Sequence, residues 1–115
     1  MSFTLEGLDA RVASRAAASP DESYTAKLLS RGVEKCAQKL GEEATEAVIA
    51  AVARDKTELG TEAGDVLFHL QVMLGASEVP MLEVKKEVEE REVQDGLARE
   101  AGRKTEEGAG GASPT

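Results

Sequence analysis

Two groups of carboxylates carry the chemistry available to this chain. Glu42, Glu43 and Glu46 lie in KLGEEATEAVIAAV (39–52). Glu62 and Asp65 lie in ELGTEAGDVLFHL (58–70), where His69 follows them. Both stretches mix acids with the apolar residues a helix buries. Carboxylate oxygens are hard ligands that suit Mg2+ or Mn2+ better than zinc. Lys27, Lys35 and Lys39 stand upstream, eight and four residues apart, and would share one edge of an unbroken helix. Ammonium groups near a carboxylate-held cation suit a phosphorylated ligand. Each feature also has an ordinary reading. The first acids can form a solvated helix face, and Glu62 and Asp65 can pair with Lys35, Lys39 or Arg54. The lysines can be surface charge, His69 a hydrogen-bonded core residue, and Cys36 small core filler.

Helical geometry sharpens the choice. With Glu42 at 0° and roughly 100° per residue, Glu46 falls near 40° and Glu43 near 100°. On the same scale Leu40, Ala44, Val48, Val52 and Ile49 sweep from about 160° to about 340°. Glu42 then borders the expected buried arc, and Glu43 points furthest from it. On the second segment, with Glu62 at 0°, His69 lies near 340° and Asp65 near 300°. Val72 flanks them on one side, and Met73, Val66 and Leu70 on the other, so the ionisable stripe sits inside the apolar surface; Glu58 extends it. The opposite side carries Gly60, Gly64, Phe68, Gln71 and Gly75, without a charge. That pattern predicts close packing on both sides, one of them at a subunit interface. Burying Glu62 and Asp65 alone would cost several kcal/mol, so a shared divalent cation is the better account.

The elements that must position these residues read as helices. Leu5, Leu8 and Val12 predict a helix within 2–18, and Ser19-Pro20-Asp21 breaks the chain. A second helix is expected over Glu22–Ser30, capped by Asp21 or Ser23, with Gly32 interrupting. Long helices follow over Val33–Arg54 and Lys56–Leu74, with a turn at Gly75–Val79. Pro80 suits the first turn of a last helix to Val93. From Gly96 on, the composition predicts a flexible tail. The organisation expected is one domain, 1–95, followed by that tail, 96–115.

Composition agrees with an all-α chain. In 115 residues the aromatic set is Phe3, Tyr24 and Phe68, Asn is absent, and alternating strand-like runs with turn pairs are missing. Fourteen basic against 22 acidic residues give a net charge of −8, which excludes a whole-surface nucleic-acid binder but permits a small phosphorylated ligand held by a few local cations. Cys36 is alone, so an intrachain disulfide or cysteine-based zinc site is excluded. No apolar run approaches the ~20 residues of a membrane span, and no signal-peptide pattern opens the chain. A cytoplasmic protein without membrane or nucleic-acid partners is expected.

The order E42-E43-x-x-E46 … E62-x-x-D65 resembles the EExxE…ExxD signature of the all-α, MazG-like NTP pyrophosphohydrolases. Three stretches, SYTAKL (23–28), KLGEEATE (39–46) and EAGDVLFHL (62–70), narrow the resemblance to the phosphoribosyl-ATP pyrophosphohydrolase family, over about Ser23–Arg91. The resemblance implies a four- to five-helix, dimeric, Mg2+-dependent enzyme that hydrolyses phosphoribosyl-ATP to phosphoribosyl-AMP and pyrophosphate, the second step of histidine biosynthesis. It implies a site built where helices of two subunits meet. Gly60, Gly64 and Pro80 depart from the family pattern. With the angles above, Glu42, Glu46, Glu62 and Asp65 are the expected metal ligands. Glu43 belongs to the motif as a further ligand, as a group that acts on the metal through another ligand, or as base, and His69 would orient water or a ligand carboxylate. Lys27, Lys35 and Lys39 would take the triphosphate or the ribose phosphate, and Ser23, Tyr24 and Thr25 would hydrogen-bond a phosphate at a helix start. Two rivals remain: a house-cleaning pyrophosphohydrolase of non-canonical nucleoside triphosphates, and a non-catalytic helical dimerisation module. A calcium loop is excluded, because no contiguous run of oxygen ligands with its central Gly occurs.

Overall fold

The structure is a computed structural model that describes the backbone of residues 3–109 and the side-chain surroundings of residues 3–96. It divides into two units, Met1–Met81 and Leu82–Thr115, a boundary earlier than the 95/96 junction expected from composition. Five helices are present among the described residues: α1 (Leu5–Ala16), α2 (Tyr24–Ser30), α3 (Val33–Val52), α4 (Lys56–Ala76) and α5 (Met81–Ala109). The all-α expectation holds.

Local chemistry sets the helix starts. Thr4 Oγ1 accepts from the Gly7 N–H at 2.9 Å and opens α1. Ser23 Oγ accepts from the Ala26 N–H at 3.2 Å and opens α2, and Asp55 Oδ1 accepts from the Glu58 N–H at 3.0 Å and opens α4. Each satisfies one of the donors a helix N-terminus leaves unpaired. Between α2 and α3 the chain turns at Gly32, with φ +91°, a conformation that only glycine adopts freely. Arg54, at φ 62°, reverses the chain between α3 and α4, which pack on each other as a helical hairpin.

At one end of the hairpin, α1 and α2 cover α4. Val12, Leu28, Cys36 and Val72 form the buried cluster there, bordered by Leu29, Phe68, Met73 and Ala76. Cys36 is core filler as expected, its Sγ donating to the Leu28 carbonyl at 3.4 Å.

The expected buried arc of α3 is corrected. Val48, Ile49 and Val52 are 61, 62 and 78% exposed, whereas Cys36 and Ala50 are buried and Glu43 and Ala47 half-buried. The side of α3 turned inward is the one with small residues, which let two helices approach closely; the large aliphatic side faces out. The uncharged face of α4 is also split. A methyl at Gly75 would touch Val12 Cγ1 at 3.6 Å, whereas Gly60 and Gly64 face open space, so within one chain this face is packed at the end near α1.

The last helix corrects a further expectation. It begins at Met81, just after Pro80, and continues past Val93 to Ala109. Between Gly96 and Gly108 the chain has no proline and is rich in Ala, Arg, Lys and Glu, which are strong helix formers. The remainder of the expected tail, residues 110–115, lies outside the described residues.

Candidate functional site

The α3–α4 hairpin brings the two acidic groups together. Carboxylate oxygens of Glu43, Glu62 and Asp65 all lie within 4.8 Å of one another, with Glu62 buried, Glu43 half-buried and Asp65 exposed. Glu62 is 8% exposed, and its Oε2 has no hydrogen-bond partner among the described residues. Burial first, then the neighbouring carboxylates of Glu58, Glu43 and Glu46, push its pKa up to about 8 from an ordinary 4.5. An acid pressed among like charges, with one oxygen unpaired, fits a divalent cation by donor chemistry and by electrostatics. Glu46 and Glu58 are themselves exposed and share with Glu62 the wall of an open cavity of about 430 Å³, which Ile49, Ala50, Ala53 and Asp55 complete.

The angular ranking of the first three acids is therefore corrected. Glu43, expected to point furthest away, is the α3 residue in the closest cluster. Glu42, expected at the buried edge, is exposed and stands apart. It accepts from Gln38 Nε2 at 2.9 Å and from Lys39 Nζ at 3.2 Å. Those two donors hold its carboxyl below the usual range, Gln38 contributing most. The reason is the one that exposes Val48, Ile49 and Val52: the small side of α3, not the large aliphatic side, meets α4.

His69 lies one to two turns along α4 from Asp65 and Glu62. Its ring packs edge-on against Phe68 at 5.0 Å and Tyr24 at 6.1 Å between centroids. Burial pushes its pKa below the ordinary value, against the opposing pull of Glu43, and its buried Nδ1 has no hydrogen-bond partner among the described residues. Tyr24, itself exposed, stacks on Phe68 at 6.2 Å and connects α2 to this part of α4. The three residues expected at a helix start separate in the structure. Ser23 is a buried cap, Tyr24 reaches the surface, and Thr25 is buried on the inward side of α2. Ser23 and Tyr24 border a cavity with Pro20, Asp21, Glu22 and Lys27; Thr25 does not line it.

The lysines converge although Gly32 breaks the helix between them. Lys27, Lys35 and Lys39 line one cavity of about 210 Å³ between α2 and α3, with Tyr24, Leu28 and Arg31. Arg31 was not singled out from the sequence. The available signal was the spacing Lys27, Arg31, Lys35, Lys39, a cation every four residues.

The model of the phosphoribosyl-ATP pyrophosphohydrolase family matches residues 5–92. Among curated proteins, the phosphoribosyl-ATP pyrophosphatase of Methylobacterium nodulans is 58% identical over 102 residues, covering 89% of this chain and 95% of that one. The protein of the same name from Cereibacter sphaeroides is 57% identical over 99 residues, covering 86% and 96%. The one from Agrobacterium fabrum is 54% identical over 103 residues, covering 90% and 96%.

Proposed function

This chain belongs to the phosphoribosyl-ATP pyrophosphohydrolase family, and from that membership we propose that it hydrolyses phosphoribosyl-ATP to phosphoribosyl-AMP and pyrophosphate in histidine biosynthesis, using Mg2+ held by Glu43, Glu62 and Asp65. The observation that carries the site assignment is the convergence of those three carboxylates within 4.8 Å around a buried acid with an unpaired oxygen. Mn2+ meets the same donor requirements. When bound, the ion supplies charge neutralisation for the phosphate chain and for the charge developing on the departing pyrophosphate.

The chain's own residues do the rest. Water adds its oxygen to the α-phosphorus as the α–β anhydride bond breaks, and its proton goes to a carboxylate. Glu46 is suited to that role, because it lines the open cavity beside Glu62 and lies outside the closest triad. Glu42 serves the site indirectly, by holding Lys39 in place. His69, edge-on to the stacked rings of Tyr24 and Phe68, positions the adjacent part of α4. The working unit is a homodimer. Supporting this, one chain leaves Val48, Ile49 and Val52 in water, next to the half of α3 that carries Glu43 and Glu46.

The direct test is pyrophosphate release from phosphoribosyl-ATP, with ATP and dITP in parallel, with and without Mg2+. Mg2+-dependent release from phosphoribosyl-ATP alone is expected. Preference for dITP would move the chain to a house-cleaning role, and absence of release from all three would leave the acids structural.

A further inference from the structure

The cavity between α2 and α3 has a composition at odds with the rest of the molecule. The chain carries a net charge of −8, yet four cations, Lys27, Arg31, Lys35 and Lys39, line a single space of about 210 Å³. Of the four, only Lys39 is held in an ion pair, with Glu42 at 3.2 Å, whose charge also acts on Lys35. The side chains of Lys27, Arg31 and Lys35 form no ion pair with any carboxylate among the described residues, although acids outnumber bases 22 to 14. Like charges gathered around one space repel, and an anion entering it removes that cost. Arg31 offers a planar fork that can take two oxygens at once, and the lysines offer point charges around it.

The placement relative to the carboxylates narrows the anion. Lys35, Lys39, Glu43 and Glu46 succeed one another along α3 at steps of four, four and three residues, about 6, 6 and 4.5 Å, so the two lysines that line the cavity precede the two acids along the helix. A ligand lying along this helix meets two unlike stations. A phosphate chain accompanied by a divalent cation belongs at the carboxylates. A phosphate without a metal belongs at the cations. A phosphomonoester carries close to two negative charges at neutral pH. Phosphoribosyl-ATP has both kinds of end: a triphosphate on one ribose and a monoester phosphate on the second. ATP has only the first.

Resting on the function proposed above, we propose that the Lys27–Arg31–Lys35–Lys39 cavity binds the monoester phosphate of the phosphoribosyl group, and that Arg31 is a specificity-determining residue separating phosphoribosyl-ATP from ATP. The exposed ring of Tyr24 forms part of the wall of the same cavity and stacks on Phe68 of α4.

The test compares ligands that differ by the phosphoribosyl group. Affinities of the wild-type chain, Arg31→Gln, Arg31→Lys and Lys27→Gln/Lys35→Gln are measured by calorimetry for phosphoribosyl-AMP and AMP, with KM for phosphoribosyl-ATP and Ki for ATP alongside. Loss of a charge-assisted contact should weaken phosphoribosyl-AMP binding and raise KM about tenfold or more in Arg31→Gln. AMP affinity and the ATP Ki should stay within about twofold, and Arg31→Lys should recover part of the loss. Arg31 is exposed at the end of α2, and unchanged melting temperatures would exclude misfolding as the cause. Equal weakening toward ATP and phosphoribosyl-ATP would assign the cavity to the triphosphate and overturn the proposal. Unchanged phosphoribosyl-AMP affinity in both the Arg31→Gln and the double variant would overturn it as well. A wild-type chain that binds phosphoribosyl-AMP no better than AMP and releases no pyrophosphate from phosphoribosyl-ATP would instead mark failure of the underlying function.

Discussion

The two ends of the α3–α4 hairpin are built on different terms. At the end covered by α1 and α2, Val12, Leu28, Cys36 and Val72 close a small apolar core within one chain. From the middle of the hairpin toward its turn, Glu43, Glu62 and Asp65 crowd together, and Val48, Ile49 and Val52 stand in water. The first end closes within one chain; the second region leaves like charges together and aliphatic side chains exposed. On the function proposed above, a cation would answer the carboxylates and a second copy would answer the aliphatic side, and this incomplete region would be the functional one. Natural sequences depart from local consistency mainly where function requires it.

The largest effect should come from the carboxylates. Glu43→Gln, Glu62→Gln or Asp65→Asn should each lower the rate of pyrophosphate release by about a hundredfold or more, because ion-assisted charge stabilisation is worth several kcal/mol. Helical circular dichroism should persist. Glu42→Gln should cost less than tenfold, since that carboxylate is engaged by Gln38 and Lys39. Equal losses for Glu42 and Glu43 would erase the distinction between them.

The closed end should respond in stability. Leu28→Ala should cost about 2–5 kcal/mol in denaturant unfolding, through lost burial and a cavity. The Mg2+ concentration for half-maximal activity in the surviving folded protein should not move. A shift in that concentration would couple the ends more tightly than the packing suggests.

Assembly probes the aliphatic side. Val52→Glu should convert a sedimenting dimer to a monomer, because a desolvated carboxylate is costly at an interface. A Val52→Glu protein that sediments as the wild type does would place any interface elsewhere.

A smaller effect is expected with pH. Without divalent cation, Glu62 keeps its proton in the folded chain up to about pH 8, whereas the unfolded chain loses it near the ordinary 4.5. Between those values the unfolded state binds fewer protons, so the metal-free fold loses stability as pH rises. Melting temperature should therefore fall across this window, and Glu62→Gln should flatten that fall. A melting temperature independent of pH in the wild type would contradict the crowding of acids around Glu62.

Much of this arrangement was legible in the sequence, and the exceptions have physical causes. Glu62 and His69 were identifiable because apolar residues flank them at helical spacing, and both are buried. Glu43 was ranked below Glu42 because Val48, Ile49 and Val52 were assumed to face α4; a helical wheel cannot tell a core inside one chain from a surface awaiting another. Arg31 was passed over because only the lysines were followed along that edge, although it falls midway between Lys27 and Lys35 on the same four-residue spacing. The helix beyond Gly96 was obscured by its glycines, although the residues between them favour a helix.

The most direct test of the central claim is a titration of the metal-free chain with Mn2+ at neutral pH, followed by calorimetry in buffers of different ionisation enthalpy. The wild type should bind Mn2+ and release a proton as Glu62 ionises, and Glu62→Gln should lose both the binding and the proton release. Equally tight Mn2+ binding in Glu62→Gln, or no binding in the wild type, would contradict a cation site at Glu43, Glu62 and Asp65.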